Sequence, residues 1–145
     1  QLWDTAGQEK FAPLIKTYYK NVAGVILIYD VTQRNTYNRL HYWINEIQKY
    51  SPVDYPISKI LIGNKIDLNR VVSKEEASTL AKNNGFMYRE MSIKNDFNVE
   101  ESLVALAQDI YENKEQNKGI TNSNIKYSTL KLEGTKNRDN CCCIF

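Results

Sequence analysis

The sequence predicts an α/β protein with a mostly parallel sheet that helices cover on both faces. Two observations lead to this class. First, the apolar, β-branched runs Val22–Tyr29 and Lys59–Gly63 are typical of strands that are buried on both faces. Second, amphipathic helical patterns alternate with such runs, and this alternation favours a parallel sheet with helical crossovers.

Two helices are predicted between the strands. Apolar residues recur at i, i+3, i+4 and i+7 over Tyr37–Tyr50, and Thr36 is the expected N-cap of this helix. The segment Ser73–Glu76 is a capping box, in which a Ser hydroxyl and a Glu carboxylate can satisfy backbone N–H groups. It predicts a helix that continues to Lys82.

Two weaker strands and a third helix complete the predicted core. Phe86–Met91 is a strand of mixed polarity, and Leu2-Trp3 has the composition of the end of another strand. The segment Val99–Glu112 is predicted to be a helix, with an inward face that consists of Leu103, Leu106, Ala107 and Ile110.

The composition fits one folded domain followed by a polar tail. Of the 145 residues, 42% are apolar and 25% are charged, as in ordinary globular proteins. The apolar period fades after residue 112, so we predict a domain at 1–112 and a flexible tail at 113–145. No apolar run approaches the ~20 residues of a membrane span. The net charge of +2 gives no reason to expect a nucleic-acid partner.

The segment Asp4–Gln8 has the residue types of a phosphate and metal site and follows the first strand stub. In parallel sheets, ligands bind at the carboxyl ends of strands. The Asp4 carboxylate can hold Mg²⁺ there, usually through water, and Gly7 lets a backbone N–H approach a phosphate oxygen. The Gln8 amide can orient an attacking water because it both donates and accepts. An ordinary turn remains the alternative interpretation.

The segment Asn64–Asp67 has donors and acceptors that suit a guanine base. The Asp67 carboxylate can accept the N1 and N2 hydrogens of guanine, whereas adenine has no such donor pair and leaves a buried charge unpaired. Asn64 can bond the ring edge, and the alkyl stem of Lys65 can lie on the base. A solvated turn is again the alternative.

A third loop, Met91–Lys94, follows the third predicted strand. The Ser92 hydroxyl is placed to fix the Asp67 carboxylate, and the Ile93 backbone N–H is placed to reach guanine O6. Because the ends of parallel strands share one edge of the sheet, we expect this loop to meet Asn64–Asp67.

Two principal motifs and several supporting ones occur together in a characteristic order. The principal motifs are Trp3–Glu9 and Asn64–Asp67, and the supporting ones are Lys10-Phe11, Tyr18-Tyr19, Tyr29–Thr32 and Trp43-Ile44. Together they resemble the Ras superfamily of small GTPases, and specifically its Rab branch, over about residues 1–112. The resemblance implies a P-loop NTPase-like small G domain that binds GTP or GDP with Mg²⁺ and hydrolyses GTP slowly.

The resemblance also implies a role for each matching residue. Asp4 is similar to the carboxylate on the Mg²⁺ side, Gly7 to the γ-phosphate contact, and Gln8 to the residue that positions the water. By the same resemblance the guanine-binding residues are Asn64, Lys65 and Asp67, with Ser92, Ile93 and Lys94 as the third base loop. Rabs usually have Ala at the middle of that loop, and we expect the larger side chain of Ile93 to crowd the base.

The phosphate loop of this family, G-x-x-x-x-G-K-[ST], does not occur in the 145 residues. We therefore expect the chain to be an N-terminally truncated small G domain that lacks the first strands of the sheet. Two functions stay open. The complete protein is expected to be a GTP-dependent switch of membrane traffic, and the alternative is a non-catalytic interaction module without nucleotide binding.

The chain ends in three adjacent cysteines followed by Ile144-Phe145. Adjacent cysteines lack the spacing of a zinc site or a disulfide framework. Cys142–Phe145 is a C-a-a-X box, and Cys141-Cys142 resembles the double-cysteine ending of Rabs. We therefore expect prenylation at Cys141 and Cys142.

The resemblance implies partners and a location as well. Rab effectors, an exchange factor and a GTPase-activating protein are expected at the second switch, Glu9–Asn21. A GDP-dissociation inhibitor or escort protein and a geranylgeranyl transferase are expected at the tail. The expected location is the cytoplasmic face of an endoplasmic reticulum, Golgi, endosomal or lipid-droplet membrane. Val25–Thr36 is most similar to the Rab class usually numbered eighteen.

Overall fold

Strands and helices alternate in the computed structural model, which describes residues 2–4, 22–51, 57–117 and 141–144. Side chains are described for residues 22–51 and 57–115. In these ranges the strands are Leu2–Asp4 (β1), Val22–Asp30 (β2), Ser58–Asn64 (β3), Met87–Glu90 (β4) and Cys141–Ile144 (β5). The helices in these ranges are Arg34–Tyr50 (α1), Lys74–Asn83 (α2) and Val99–Asn117 (α3).

The five described strands form one parallel sheet in the order β1-β5-β2-β3-β4. In the register of this sheet, Asp30 of β2 lies beside Asn64 of β3. Gly63, one residue earlier in β3, lies beside Glu90 of β4. The carboxyl ends of β2, β3 and β4 therefore meet at one edge, as expected from the sequence.

Helices cover both faces of the sheet, which confirms the predicted class. On one face, buried residues of α1 and α2 share a cluster with Leu61 of β3. On the other face, Leu106 of α3 packs with Ile60 and Ile62. Successive side chains of a strand point to opposite faces, so the centre of β3 must be apolar on both faces, and all three of these β3 side chains are at most 1% exposed.

The sequence predicts the start of α2 better than the start of α1. For α2 the Ser73 half of the capping box is confirmed, because the Glu76 backbone N–H donates to Ser73 Oγ at 3.1 Å. The Glu76 carboxylate accepts from Arg34. For α1 the prediction of Thr36 as N-cap is wrong, since the helix begins at Arg34. The Thr36 hydroxyl instead accepts the backbone N–H of Asp30 at 3.1 Å. It thereby joins the first turn of α1 to the end of β2.

The inward face of α3 also differs from the prediction. Leu103 is 42% exposed, whereas Ser102 is fully buried and Leu106 is 2% exposed. Ala107, predicted to face inward, is exposed too. Apolar residues occur on adjacent faces of this helix, so periodicity alone does not say which stripe meets the sheet. The stripe is decided partly by Gly24, where an added Cβ would lie 2.7 Å from Ile110 Cδ1.

The structure departs from the predicted flexible tail at both of its ends. Helix α3 continues to Asn117, past the expected boundary at 112, and Cys141–Ile144 form β5. This strand pairs with β1 on one side and with β2 on the other. Its backbone groups thus gain partners that a solvated tail would find only in water. No described helix combines the length and the apolar character needed to cross a membrane.

Candidate functional site

The predicted base-binding residues surround the carboxyl end of β3. Asn64 is the last residue of this strand, and its side-chain Oδ1 accepts the backbone N–H of Lys65 at 2.8 Å. Lys65 has a φ of 68°, in the left-handed region that residues other than glycine seldom adopt. The Leu68 N–H then donates to the Lys65 carbonyl at 3.0 Å and closes a turn that contains Asp67.

Two hydrogen bonds connect this turn to the loop after β4. The Ser92 hydroxyl donates to Asp67 Oδ1 at 2.5 Å, which confirms the contact expected from the sequence. The Ile93 backbone N–H donates to Asn64 Oδ1 at 3.3 Å. The structure therefore brings together Asn64, Asp67, Ser92 and Ile93, although Asn64 and Ile93 are 29 residues apart along the chain.

The loop that carries Ser92 is held by its own hydrogen bonds. Ser92 and Phe97 exchange two backbone hydrogen bonds of 3.1 and 3.0 Å, and Ser92 is 1% exposed. The Asn95 N–H donates to Ser92 Oγ at 3.3 Å. The hydroxyl that contacts Asp67 is therefore fixed in place, while the side chain of Ile93 at the tip of the loop is 59% exposed.

The surroundings of Asp67 favour its ionised form. The hydrogen bond from Ser92 lowers the pKa of the Asp67 carboxyl, partial burial opposes this shift, and the nearby charges of Lys94 and Lys65 add to it. An ionised carboxylate only accepts hydrogen bonds and has about four lone-pair positions. Ser92 uses one oxygen, so the group can still accept two N–H donors from a base edge.

Asp30 was not predicted to be a site residue, although the structure places it here. Its Oδ2 atom lies 2.6 Å from Lys65 Nζ, and its Oδ1 accepts the backbone N–H of Thr32 at 2.8 Å. The available signal was the same as for Asp4, namely a carboxylate at the end of a predicted strand.

A series of hydrogen-bonded polar side chains beside the site was also not predicted from the sequence. Arg70 donates to both carboxylate oxygens of Glu90, at 3.0 and 3.2 Å. The Tyr88 hydroxyl donates to Glu90 Oε1 at 2.8 Å and lies 3.1 Å from the Tyr29 hydroxyl. These side chains link β2, β4 and the segment that follows Asp67. They therefore stabilise the turn that contains Asp67.

The pH dependence of the free energy of unfolding tests the hydrogen bonds that Glu90 makes in this series. Burial raises the pKa of Glu90, but the hydrogen bonds from Arg70 and Tyr88 outweigh it, so the pKa in the folded state is below the usual value. Ionised Glu90 therefore stabilises the fold above its unfolded pKa, near 4.3. This stabilisation is lost as the pH falls through the lower folded pKa.

We expect Glu90→Gln to lower the free energy of unfolding at pH 7 by about 1 kcal/mol. The difference from the wild type should shrink below about pH 4, where the wild-type carboxyl also becomes neutral. Urea unfolding at several pH values measures this. The matched control is Glu76→Gln, since Glu76 pairs with Arg34 where both side chains are 40% exposed. A difference between Glu90→Gln and the wild type that is constant with pH would contradict the assignment.

The phosphate side of the predicted site is described only in part. Asp4 ends β1, but the strand registers put it level with Ile60, four residues before Asn64 in β3. Its side chain lies outside the described residues, as do Gly7 and Gln8. The order β1-β5-β2-β3 puts three strand spacings between Asp4 and Asn64. At about 4.8 Å per spacing, this separation is roughly 14 Å across the sheet. The side chains of Cys141 and Cys142 also lie outside the described part.

In this parallel α/β sheet, Asn64 and the hydrogen-bonded pair Asp67 and Ser92 lie at the carboxyl edge, which is where α/β proteins of this kind bind ligands. The sequence model of the Ras family matches residues 1–112. The chain belongs to the Ras family. Members of this family bind GTP or GDP, generally with Mg²⁺, and are generally GTP hydrolases that work with regulators and effectors.

Two plant proteins are among the relatives of the chain. The Ras-related protein RIC1 of Oryza sativa subsp. japonica is 38% identical over 146 residues, and the match covers 98% of this chain and 70% of the relative. The GTP-binding protein YPTM2 of Zea mays is 36% identical over 144 residues, with the same shares covered. These relatives support a Rab-type small GTPase. The Rab class numbered eighteen stays a prediction.

Proposed function

We propose that this small GTP-binding protein is a Rab-type switch, which binds GTP with Mg²⁺, hydrolyses it to GDP and controls a step of vesicle traffic. The observation that carries the proposal is the hydrogen bond from Ser92 to Asp67, beside Asn64 and Ile93. It supports an ionised, oriented carboxylate at a strand end, which is the group that selects a guanine edge. The Ras-related and GTP-binding names of the relatives support the same class.

The base end of the nucleotide is proposed to lie between the turn after β3 and the loop after β4. Asp67 accepts the N1 and N2 hydrogens, and Asn64 contacts the ring edge. The Ile93 N–H, which donates to Asn64 Oδ1 in this structure, is proposed to reach guanine O6. The stem of Lys65 covers the face of the base.

The phosphate end is proposed to extend toward Asp4 at the end of β1. Asp4 is separated from Asn64 by roughly 14 Å across the sheet and by four residues, or about 13 Å, along the strands, so the nucleotide is proposed to run obliquely from the base loops toward the end of β1. Asp4 fits Mg²⁺ in donor type, since this ion prefers oxygen ligands. When bound, Mg²⁺ supplies positive charge against the phosphate oxygens. Gly7 contacts the γ-phosphate, and Gln8 orients the attacking water.

The catalytic part of this proposal is tested by Gln8→Leu in the complete protein. Leucine has a similar volume but no amide, so GTP hydrolysis should fall by about tenfold or more, at ~1.4 kcal/mol of barrier per tenfold. GTP should still bind, because the base-binding loops are unchanged. A single-turnover assay with a GTPase-activating protein measures this, and Gln8→Asn is the control that keeps an amide. Equal rates for Gln8→Leu and the wild type would refute the role of Gln8.

The tail is proposed to attach the protein to the cytoplasmic face of an endoplasmic reticulum, Golgi, endosomal or lipid-droplet membrane. Prenyl groups at Cys141 and Cys142 supply the anchor, which is added by a geranylgeranyl transferase. A GDP-dissociation inhibitor or escort protein shields the lipid in solution. Effectors, an exchange factor and a GTPase-activating protein act at Glu9–Asn21, which lies outside the described residues. The cysteine pair and its position at the chain end support this proposal.

A further inference from the structure

The carboxylate of Asp30 is the closest charged partner of Lys65 in the base-binding turn. Asp30 ends β2 directly beside Asn64 of β3. Its Oδ2 atom lies 2.6 Å from Lys65 Nζ, and the side chains are 11% exposed for Asp30 and 48% exposed for Lys65. An ion pair with one nearly buried member has a more defined geometry than a pair on the open surface.

The Asp30 carboxylate is itself held by the residues that follow it. Its Oδ1 accepts hydrogen bonds from the backbone N–H and the hydroxyl of Thr32, at 2.8 and 2.6 Å. The Gln33 amide donates to Oδ2 at 3.3 Å. Burial raises the pKa of Asp30, but the hydrogen bonds from Lys65 and Thr32 outweigh it, so the pKa is below its usual value. The group is therefore a fixed anion at neutral pH.

Lys65 is consequently held at both of its ends. Its backbone has a left-handed φ of 68°, and its N–H donates to Asn64 Oδ1. Its ammonium is bound by Asp30. The alkyl stem between these two points therefore bridges from the residue after β3 to the last residue of β2.

We propose that Asp30 is a positioning residue of the base site, which holds the Lys65 ammonium so that the lysine stem forms a fixed wall for the base. This inference rests on the proposed function, because it requires guanine to bind at Asn64–Asp67. The new element is that Asp30, a residue of β2 that does not touch the base, contributes to the affinity for the base through Lys65.

The test compares the binding of guanosine, GMP and GDP by the complete protein. Asp30→Asn removes the charge but keeps an oxygen that can accept from Thr32. Lys65→Met keeps the linear stem and removes the ammonium. Each variant should weaken all three ligands by the same factor, about five- to tenfold, which corresponds to the loss of one ordinary hydrogen bond within the protein. The double variant should lose no more than either single variant, because both changes break one contact.

Several results separate this inference from its alternatives. The matched control is Glu76→Gln, which breaks the exposed pair with Arg34 and should leave the three affinities unchanged. Lys65→Met leaves the contacts of Asp30 with Thr32 in place, so a similar loss in this variant excludes damage to that turn. Three outcomes would overturn the role of Asp30. The affinity could be unchanged, its loss could vary with the number of phosphates, or the losses of the single variants could add up in the double variant. Equal binding of guanosine and adenosine by the wild type would instead overturn the proposed function.

Discussion

Replacing Asp67 with Asn is expected to shift the base preference of the complete protein from guanine toward xanthine. The carboxylate accepts two N–H groups from guanine, whereas an amide presents a donor where guanine also donates. Xanthine has a carbonyl oxygen at that position, and this oxygen can accept from the amide. We expect GTP affinity to fall by about a hundredfold, the equivalent of about 3 kcal/mol for lost hydrogen bonds to a charged acceptor.

Asp67→Asn can change the contact with the base while it keeps the contact with Ser92. The amide that Asp67→Asn introduces keeps an oxygen that can still accept from the Ser92 hydroxyl, which lies 2.5 Å from Asp67 Oδ1 in the wild type. The loop contacts therefore survive, and the change acts on the base. Ser92→Ala is the matched control, because it leaves the carboxylate but removes the donor that orients it. It should weaken GTP without improving the binding of xanthosine triphosphate. An unchanged guanine preference in Asp67→Asn, measured by nucleotide competition, would disprove the assignment.

The second large effect is expected at the tail. Replacing both Cys141 and Cys142 with Ser should move the protein from membranes to the cytosol, because two lipid chains give stable anchoring and one gives marginal binding, at ~0.8 kcal/mol per buried CH₂. A single replacement should displace the protein only in part. Cys143→Ser is the matched control, since it keeps both predicted acceptor cysteines. Cell fractionation measures the distribution.

The strand β5 adds a condition to this prediction. Cys141–Ile144 have neighbouring strands on both sides, so this segment must leave the sheet before a transferase can bind it in extended form. Intact-mass spectrometry of protein from its native cells then gives the direct answer. We expect the mass of two prenyl groups on the chain end. Unmodified thiols at all three cysteines, with the chain still ending in Ile144-Phe145, would be incompatible with the anchor.

The parts of the fold that the sequence predicts well are those where one physical requirement dominates. The centre of β3 is apolar at successive positions because helices cover both of its faces, and Ile60, Leu61 and Ile62 can be assigned from this alone. The start of α2 is equally clear, since Ser73 and Glu76 stand at the spacing of a capping box. In both cases the local signal and the tertiary structure require the same residues.

The parts of the fold that cannot be predicted from the sequence depend on contacts between distant segments. Thr36 has the residue type of an N-cap, but its hydroxyl binds the end of β2 instead. The face of α3 that meets the sheet is decided by the fit of Ile110 over Gly24, which no periodicity shows. A strand at Cys141–Ile144 is similarly hard to predict, because four residues acquire a strand identity only from the neighbours they pair with.

The candidate site shows the same division. Contact between Ser92 and Asp67 could be predicted, because parallel strands bring the loops after β3 and β4 to one edge. Asp30 could not be assigned in the same way, since its role depends on the ion pair with Lys65, 35 residues away along the chain. A carboxylate at a strand end is common, and only the folded chain shows which cation it holds.

The central claim is that Asn64–Asp67 and the loop at Ser92 form a guanine-specific site. Equilibrium competition of GDP, IDP and ADP for the complete wild-type protein tests it most directly. We expect GDP to bind more tightly than ADP by about a thousandfold or more, because ADP leaves the Asp67 carboxylate without its donor pair. IDP, which lacks the 2-amino group but keeps N1–H, should lie between them. Binding of ADP with an affinity equal to that of GDP would contradict the account.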